Sequence, residues 1–202
     1  MPVAVVTGAS QGLGLALATR LAADGWSLVV DARGADTLAA AVAGLPGGPH
    51  RALAGDVTDA AHRRDLVEAA AGLGGADLLV NNASTLGTSP LPRIADLDPA
   101  TYARVLEVNV VAPMALAAAL LPQLRARHGR VLNITSDASV EAYETWGGYG
   151  SSKAALDHAT RVLAAEEADV RRSPGSTAYA RTSASSAAST RVAWSRAAFE
   201  DP

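Results

Sequence analysis

Short apolar runs alternate along this chain with longer segments rich in alanine and leucine, and this alternation constrains the fold more than any other feature. The apolar runs predict strands at Val3–Val6, Ser27–Val30, Leu78–Val80 and Arg130–Ile134, with a weaker strand at Arg51–Ala54. The segments between them predict helices at Gly12–Ala23, Ala35–Val42, Ala60–Ala71, Pro99–Val108, Met114–Arg127 and Ser151–Ala168. Strands and helices that alternate in this way form a parallel sheet with helices on both faces. We therefore predict an α/β fold with a doubly wound parallel sheet.

The stretch TGASQGLG lies between the first predicted strand and the first predicted helix. Its glycines allow a sharp turn and a close approach to a phosphate, and a helix N-terminus offers unpaired N–H groups to an anion. The position after the first strand predicts a pyrophosphate cradle, with a glycine-rich turn that binds nothing as the structural alternative. A phosphate loop of the nucleotide-hydrolase type would need a lysine after the last glycine, and the only lysine of this chain is Lys153.

Lys153 closes the stretch YGSSK, four residues after Tyr149. On a helix this spacing puts both side chains on one face. Tyrosine is a poor base at its ordinary pKa of about 10, and a nearby ammonium favours the phenolate. The pair therefore predicts an acid–base centre, and a half-buried aromatic at a helix start is the structural alternative for Tyr149.

These motifs stand in an order that resembles the short-chain dehydrogenase/reductase family. The resemblance covers about residues 1–168 and includes TGASQGLG, Asp56-Val57, Asn81-Asn82-Ala83, Asn109, and Ser136 followed by Tyr149 and Lys153. It implies a single-domain Rossmann-like fold, an NAD(P) cofactor and a carbonyl or alcohol substrate. The catalytic residues that it implies are Asn109, Ser136, Tyr149 and Lys153. The cofactor-binding residues that it implies are Thr7, Gly8, Ser10, Gln11, Gly12, Leu13, Gly14, Arg33, Asp56, Val57, Asn82, Ala83, Tyr149 and Lys153.

The resemblance also implies a role for each catalytic residue. Lys153 would hydrogen-bond the nicotinamide ribose, Ser136 would hydrogen-bond the substrate oxygen, and Asn109 would hold a water that links Lys153 to solvent. One position departs from the family pattern, because Ser84 stands where a glycine is usual.

The choice between NADP and NAD depends on Asp31-Ala32-Arg33 at the end of the second strand. In a dinucleotide-binding fold, side chains at this position contact the adenosine ribose. Arg33 favours the 2′-phosphate of NADP. An acidic residue would pair with the free hydroxyls of NAD, but Asp31 falls one position before the usual acid. Gln11 weakens the case, because many NADP-using relatives have a basic residue there. We expect NADP in preference to NAD.

The composition argues against several other classes of partner. The formal net charge is −3 and cysteine is absent, so a nucleic-acid or membrane partner and a disulfide framework are not expected. The N-terminal stretch MPVAVVTGAS does not have the pattern of a secretory signal, and we expect a cytoplasmic protein. The histidines show no zinc-ligand spacing, so no metal is expected. We expect His50, His62, His128 and His158 on the surface.

The last part of the chain, residues 169–202, differs from the rest because it contains no leucine, isoleucine or methionine. Pro174-Gly175 comes earlier than the matching turn of the family would. We expect an atypical, poorly ordered tail, most mobile over residues 173–191, with final strands and a substrate lid that are missing or atypical. A truncation, a frame shift and a diverged lid remain open as causes, and an incomplete lid would weaken activity while nucleotide binding survives.

The expected function is a cytoplasmic oxidoreductase that moves hydride between a nicotinamide cofactor and a small-molecule carbonyl or alcohol. A non-catalytic dinucleotide-binding protein is the main alternative, and a scaffold whose helices mediate assembly is a third. The family commonly pairs through the helices that match Met114–Arg127 and Ser151–Ala168, so a homo-oligomer is expected.

Overall fold

Five strands form a parallel sheet in the computed structural model, which describes residues 1–167 and 181–182. The strands are β1 (Val3–Val6), β2 (Ser27–Ala32), β3 (His50–Ala54), β4 (Leu78–Asn81) and β5 (Arg130–Asn133). The helices are α1 (Gly12–Ala23), α2 (Ala35–Ala43), α3 (Ala60–Gly72), α4 (Pro99–Leu106), α5 (Ala112–Ala126) and α6 (Gly147–Glu166). The predicted doubly wound α/β fold is confirmed.

The strand order β3-β2-β1-β4-β5 creates a switch point at the middle of the sheet. The chain runs outward from β1 to one edge and then returns to build the other side from β4. Connections on the two sides of β1 therefore diverge at its carboxyl end and leave a crevice between them. In open α/β sheets, ligands bind in a crevice of this kind.

The sheet is covered on both faces, so its central strands are buried on both sides. On one face, Val6 and Val30 belong to an apolar cluster with Leu17 and Leu21 of α1. On the other face, Val5 of β1 packs into a cluster with residues of α3 and α5. Neighbouring residues of β1 thus point into different clusters, as the alternation of side chains along a strand requires.

Helices α4 and α5 are continuous, although the sequence predicts two separate helices here. A π-helical segment, Glu107–Val111, joins them, so the backbone stays helical with one wider turn. Pro113 follows directly after this wider turn, and the π-helical turn changes the i→i−4 bonding pattern that a proline inside a regular helix would interrupt. These two features explain why the chain does not break at this proline.

By length and apolar composition alone, the 28-residue helical stretch Pro99–Ala126 could cross a membrane. In the fold, Leu116, Leu120 and Leu124 of this stretch are at most 1% exposed and pack in the cluster formed with α3. The stretch is therefore a core helix of the α/β fold.

Other element boundaries differ from the prediction by a few residues. Helix α6 begins at Gly147 rather than at Ser151, so Tyr149 lies within its first turn instead of before it. A two-residue strand β6 (Thr135–Ser136) follows β5 and pairs in parallel with β7 (Arg181–Thr182). The expected properties of the tail otherwise fall on residues 168–180 and 183–202, which lie outside the described residues.

Candidate active site

The glycine loop after β1 is shaped by a contact that leaves no room for a side chain. An added Cβ at Gly14 would overlap the carbonyl oxygen of Gly8 and the Nδ2 atom of Asn82. Gly8 has a φ of 65°, and its own Cβ would lie 2.9 Å from the Cα atom of Ala83. Both glycines are therefore required by close approach of the backbone, which is what a phosphate cradle needs.

The loop is joined to β4 by hydrogen bonds in both directions. Asn82 Nδ2 donates to the carbonyl oxygens of Thr7 and Gly8 at 2.9 and 3.0 Å. Thr7 Oγ1 accepts from the backbone N–H groups of Asn82 and Ala83, each at 3.0 Å. These bonds fix the carboxyl ends of β1 and β4 at the switch point. Asn81 completes the support by donating to Asn133 Oδ1 at 2.8 Å.

A cleft of about 920 Å³ opens at this switch point. It extends from the glycine loop to the carboxyl ends of β2, β3 and β4, and to α4. Eleven of the residues predicted to bind cofactor line it: Gly8, Ser10, Gln11, Gly12, Leu13, Gly14, Arg33, Asp56, Val57, Asn82 and Ala83. Its volume is within the range of small-molecule and cofactor sites, roughly 300 to 1,000 Å³.

Asp56 stands at the β3 end of the cleft in a network that the sequence does not predict. Its carboxylate accepts from Thr58 Oγ1 at 2.8 Å and from Arg104 Nη2 at 2.6 Å, and Arg104 also reaches Glu107 Oε2 at 2.7 Å. Burial acts to raise the pKa of Asp56, but the hydrogen bonds from Thr58 and the Arg104 guanidinium bring it below its ordinary value. Asp56 is therefore a carboxylate at neutral pH. Arg104 lies 48 residues away in the sequence, and that separation hides the pair from motif analysis.

The structure brings Ser136 of β6 together with Tyr149 and Lys153 of α6. Lys153 is 2% exposed, and its Nζ donates to the carbonyl oxygen of Ile134 at 2.8 Å. The same Nζ lies 5.6 Å from the centroid of the Tyr149 ring. Burial lowers the pKa of Lys153 to about 8, and the carboxylate of Asp157 acts in the opposite direction.

The expected lowering of the Tyr149 pKa by Lys153 is wrong for this geometry. Burial raises the pKa of Tyr149, hydrogen bonds with the Ser84 and Ser136 side chains lower it, Asp137 raises it, and the result is above the ordinary value. The Lys153 Nζ faces the aromatic ring and bonds to Ile134, so it does not offset the burial of the phenol. Tyr149 is therefore a neutral phenol at pH 7, able to donate a proton.

Asn109 is fully buried in the π-helical segment and holds the loop after β4. Its Oδ1 accepts from the backbone N–H of Thr85 at 2.8 Å and from Ser84 Oγ at 3.1 Å. Its Nδ2 donates to Ser152 Oγ at 3.0 Å, which places it next to Lys153 on α6. The structure thus brings Asn109 to the Tyr–Lys helix, and the water-holding role stays a prediction.

Ser84 connects the cleft with the catalytic cluster. It lines the cleft, bonds to Asn109, and hydrogen-bonds the Tyr149 side chain. The sequence marks this position only as a departure from the family's glycine. The added hydroxyl accounts for these contacts, which a glycine could not make.

Trp146 packs edge-on against Tyr149, with ring centroids 5.7 Å apart, and Tyr143 packs against Trp146 at 6.2 Å. Tyr143 also donates to Asp137 Oδ2 at 3.1 Å. The aromatic row therefore fixes the ring of Tyr149 and reaches the acid beside Ser136.

The expectation that all four histidines lie on the surface is wrong for His62. This residue is 7% exposed, and its Nε2 is 3.0 Å from Asp31 Oδ2. The Asp31 carboxylate also accepts the backbone N–H of Gly8 at 2.8 Å, so it supports the glycine loop. His50 is half-buried, whereas His128 and His158 are exposed as expected. In the part of the chain that the structure describes, residues 1–167 and 181–182, no cluster of three or more His, Asp or Glu side chains suited to a metal is found.

Comparison with known proteins identifies the family. The sequence model of the short chain dehydrogenase family matches residues 2–185 of this chain. The chain belongs to this family. The match extends beyond residue 168, into the tail that contains no leucine, isoleucine or methionine.

Similar proteins from this family include enzymes and cofactor complexes. Galactitol 2-dehydrogenase of Agrobacterium fabrum is 35% identical over 168 residues, which are 80% of this chain and 63% of the relative. The structure of 7α-hydroxysteroid dehydrogenase complexed with NADH and 7-oxo glycochenodeoxycholic acid has a TM-score of 0.78 at 32% identity, covering 84% of this chain and 66% of that one. An alcohol dehydrogenase from Thermococcus sibiricus complexed with 5-hydroxy-NADP has a TM-score of 0.76 at 29% identity, covering 91% and 74%.

The chain spans only part of its curated relatives. The share of the relative that is matched is 46% for an uncharacterised oxidoreductase of Saccharomyces cerevisiae and 66% for one of Methylorubrum extorquens.

The close approach at Gly14 yields a test of the cradle. Gly14→Ala should weaken NADPH binding by at least about tenfold, because the added methyl must displace Asn82 or the Gly8 carbonyl from the loop. Gly72→Ala, at the end of α3, is the control, because an added Cβ there meets nothing within 4 Å. Calorimetric titration measures both affinities, and circular dichroism checks folding. Equal affinity of the two folded variants would contradict the assignment of the loop.

Proposed function

We propose that this chain is an oxidoreductase that transfers hydride between a nicotinamide dinucleotide and a small-molecule carbonyl or alcohol. The observation that carries the proposal is the junction at Ser84, which lines the cleft and also contacts Tyr149. This contact supports a single site in which the proposed pyrophosphate cradle and the proposed acid–base pair act together. We infer that residues 1–168 form the dinucleotide-binding and catalytic unit.

The residues of the site fit a nicotinamide dinucleotide. The glycine loop has no room for a Cβ at Gly14, and it leads into the start of α1, where the first N–H groups of a helix are available to an anion. When bound, the reduced dinucleotide supplies the hydride that a carbonyl carbon accepts.

The protein side chains would handle the proton and the orientation of the substrate. In carbonyl reduction, the Tyr149 phenol gives its proton to the substrate oxygen as the carbon accepts hydride, and in alcohol oxidation the phenolate takes that proton back. Ser136 would hydrogen-bond the same oxygen. We infer that Lys153 restores the proton of Tyr149, since its pKa of about 8 lets it give up a proton near neutral pH. Tyr149, whose pKa is raised, is protonated at pH 7 and is thus in the state that acts as the acid in carbonyl reduction.

Turnover tests the role of Tyr149. With NADPH and a panel of carbonyl compounds, Tyr149→Phe should lower the rate roughly 10² to 10⁴-fold, the usual contribution of general acid–base catalysis. Nucleotide affinity should stay within a few-fold, because the ring and its contact with Trp146 remain. Tyr102→Phe, which removes a hydroxyl bonded to Ser151 on the outer side of α6, is the matched control.

Two results would argue against this assignment. A Tyr149→Phe variant that kept more than about a tenth of the wild-type rate would show that another group moves the proton. Firm nucleotide binding by the wild type without turnover of any compound would favour the non-catalytic dinucleotide-binding alternative.

NADP is the proposed cofactor in preference to NAD. Arg33 is exposed at the end of β2 and lines the cleft where the adenosine ribose is read. The Asp31 carboxylate, which could otherwise pair with free ribose hydroxyls, is engaged by Gly8 and His62. Both observations support a site for a 2′-phosphate.

Replacing Arg33 tests this preference. Arg33→Ala should weaken NADPH binding on the order of tenfold and change NADH binding by less than about twofold, because only NADPH carries the phosphate that a guanidinium binds. Arg161→Ala, exposed on α6, removes an equal charge away from the cleft and is the control. Tighter binding of NADH than NADPH by the wild type would contradict the proposal.

A homo-oligomer and a cytoplasmic location are also proposed. Val111, in the π-helical segment before α5, is 57% exposed, and Val162 on α6 is 42% exposed, so apolar side chains are exposed next to α5 and on α6. Analytical ultracentrifugation should give a mass of at least two chains, and a monomer at micromolar concentration would contradict the assembly. Fractionation of the native source would check the location, and neither nucleic acid nor membrane is proposed as a partner.

A further inference from the structure

Asp31 and His62 form a buried pair behind the glycine loop that the proposed chemistry does not use. Asp31 is 1% exposed and His62 is 7% exposed. Asp31 Oδ1 accepts the Gly8 N–H at 2.8 Å while Asp31 Oδ2 lies 3.0 Å from His62 Nε2. The backbone oxygen of Asp31 also accepts the Ala9 N–H at 2.8 Å. The carboxylate is therefore bound to the cradle on one side and to an ionisable ring on the other.

The imidazole is held in place by its packing. An added Cβ at Gly55, directly after β3, would overlap the Nδ1, Cε1 and Cγ atoms of His62. The ring thus lies against bare backbone at the end of β3, with Nε2 directed at Asp31. This packing favours a change of protonation in place over a swing of the side chain into solvent.

The protonation state of His62 alters the net charge at the cleft, because of the charged residues that surround it. Asp31 and Asp56 both line the cleft, and Asp56 is compensated at every accessible pH by the guanidinium of Arg104. Within residues 1–167, Asp31 has only His62 as its direct partner cation, and that ring is cationic only when protonated. The other charged groups nearby are Asp59 at the N-cap of α3, Asp65 and Arg63 on α3, and Arg33 after β2. Arg63 donates to the Val57 carbonyl oxygen.

We propose that His62 determines the preference of this site for a 2′-phosphorylated nucleotide, because its protonated ring cancels the charge of Asp31 beneath the adenosine-ribose end of the cleft. The inference rests on the proposed function. When His62 is protonated, the pair is neutral and Arg33 can attract the phosphate without opposition. When His62 is neutral, the buried charge of Asp31 repels the 2′-phosphate of NADPH. NADH, which lacks that phosphate, is repelled less.

The direction of the pH effect follows from the environment of the ring. The hydrogen bond to Asp31 raises the pKa of His62, burial lowers it, and the charges of Asp31, Asp65 and Asp59 raise it, with a result above the ordinary value of 6.5. His62 is thus cationic below its raised pKa, and the preference for NADPH should be lost as the pH rises through that value.

Nucleotide titrations across pH test the inference. The dissociation constants of NADPH and NADH are measured by fluorescence from about pH 6 to about pH 9 for the wild type, His62→Gln and the exposed-histidine control His158→Gln. In the wild type and the control, the ratio of the NADH constant to the NADPH constant should fall on the order of tenfold across this range. In His62→Gln that loss should be absent, and the ratio at the acid end should be about tenfold below the wild type. The ionisation of the 2′-phosphate itself, near about pH 6, affects all three proteins alike and cancels in the comparison.

A second measurement needs no variant. Because linkage is reciprocal, NADPH should raise the pKa of His62 by about one unit more than NADH does, as followed by NMR titration of the ring in the wild-type protein. Equal His62 pKa values in the two complexes, or the same pH profile in wild type and His62→Gln, would overturn the inference and leave the proposed function standing. If neither nucleotide bound at any pH, the proposed function would fail and the inference with it.

Discussion

The close approach between Gly14 and the carbonyl of Gly8 is the constraint on which the rest of the site depends. It requires α1 to start directly against the end of β1, and it leaves the Asn82 amide as the neighbour of both residues. The same amide connects β1 with β4 on the far side of the switch point. The cleft therefore opens where the two halves of the sheet separate, and its position follows from chain topology and one tight backbone contact.

The cleft floor carries acids, although the ligand proposed for it is an anion. Asp31 and Asp56 would repel a dinucleotide if they were free, but each carboxylate is tied to the protein by hydrogen bonds and by a cationic or ionisable partner. The partners differ in kind, because Arg104 keeps its charge at all relevant pH values and His62 does not. The charge of Asp56 at the β3 end of the cleft is thus compensated at all relevant pH values. The charge of Asp31 at the β2 end is compensated only when His62 is protonated.

Much of the fold and part of the site could be predicted from local sequence patterns. The order of strands and helices follows from hydrophobic periodicity, and the glycine loop and the Tyr149–Lys153 pair follow from short-range spacing. The pairs Asp31–His62 and Asp56–Arg104 join residues 31 and 48 positions apart, and no spacing rule connects them. The sequence does not indicate that α4 and α5 are continuous, for another reason. Asn109 lies in a π-helical turn that joins the two helices, and local sequence patterns do not predict such a turn. The raised pKa of Tyr149 depends on burial and on where Lys153 points, which only the packed structure defines.

Lysine at position 153 can be understood from this packing. A guanidinium stays charged at any accessible pH, and its planar shape would have to fit between the Ile134 carbonyl and the Tyr149 ring. An ammonium is compact, and its pKa falls readily on burial, here to about 8. Lys153 can therefore gain and lose a proton near neutral pH, which an arginine could not do. The chain's use of its only lysine at this buried position is consistent with a group that returns a proton to the phenolate of Tyr149 after Tyr149 has donated its own, whereas a purely structural cation would have been served by the arginine that the sequence uses everywhere else.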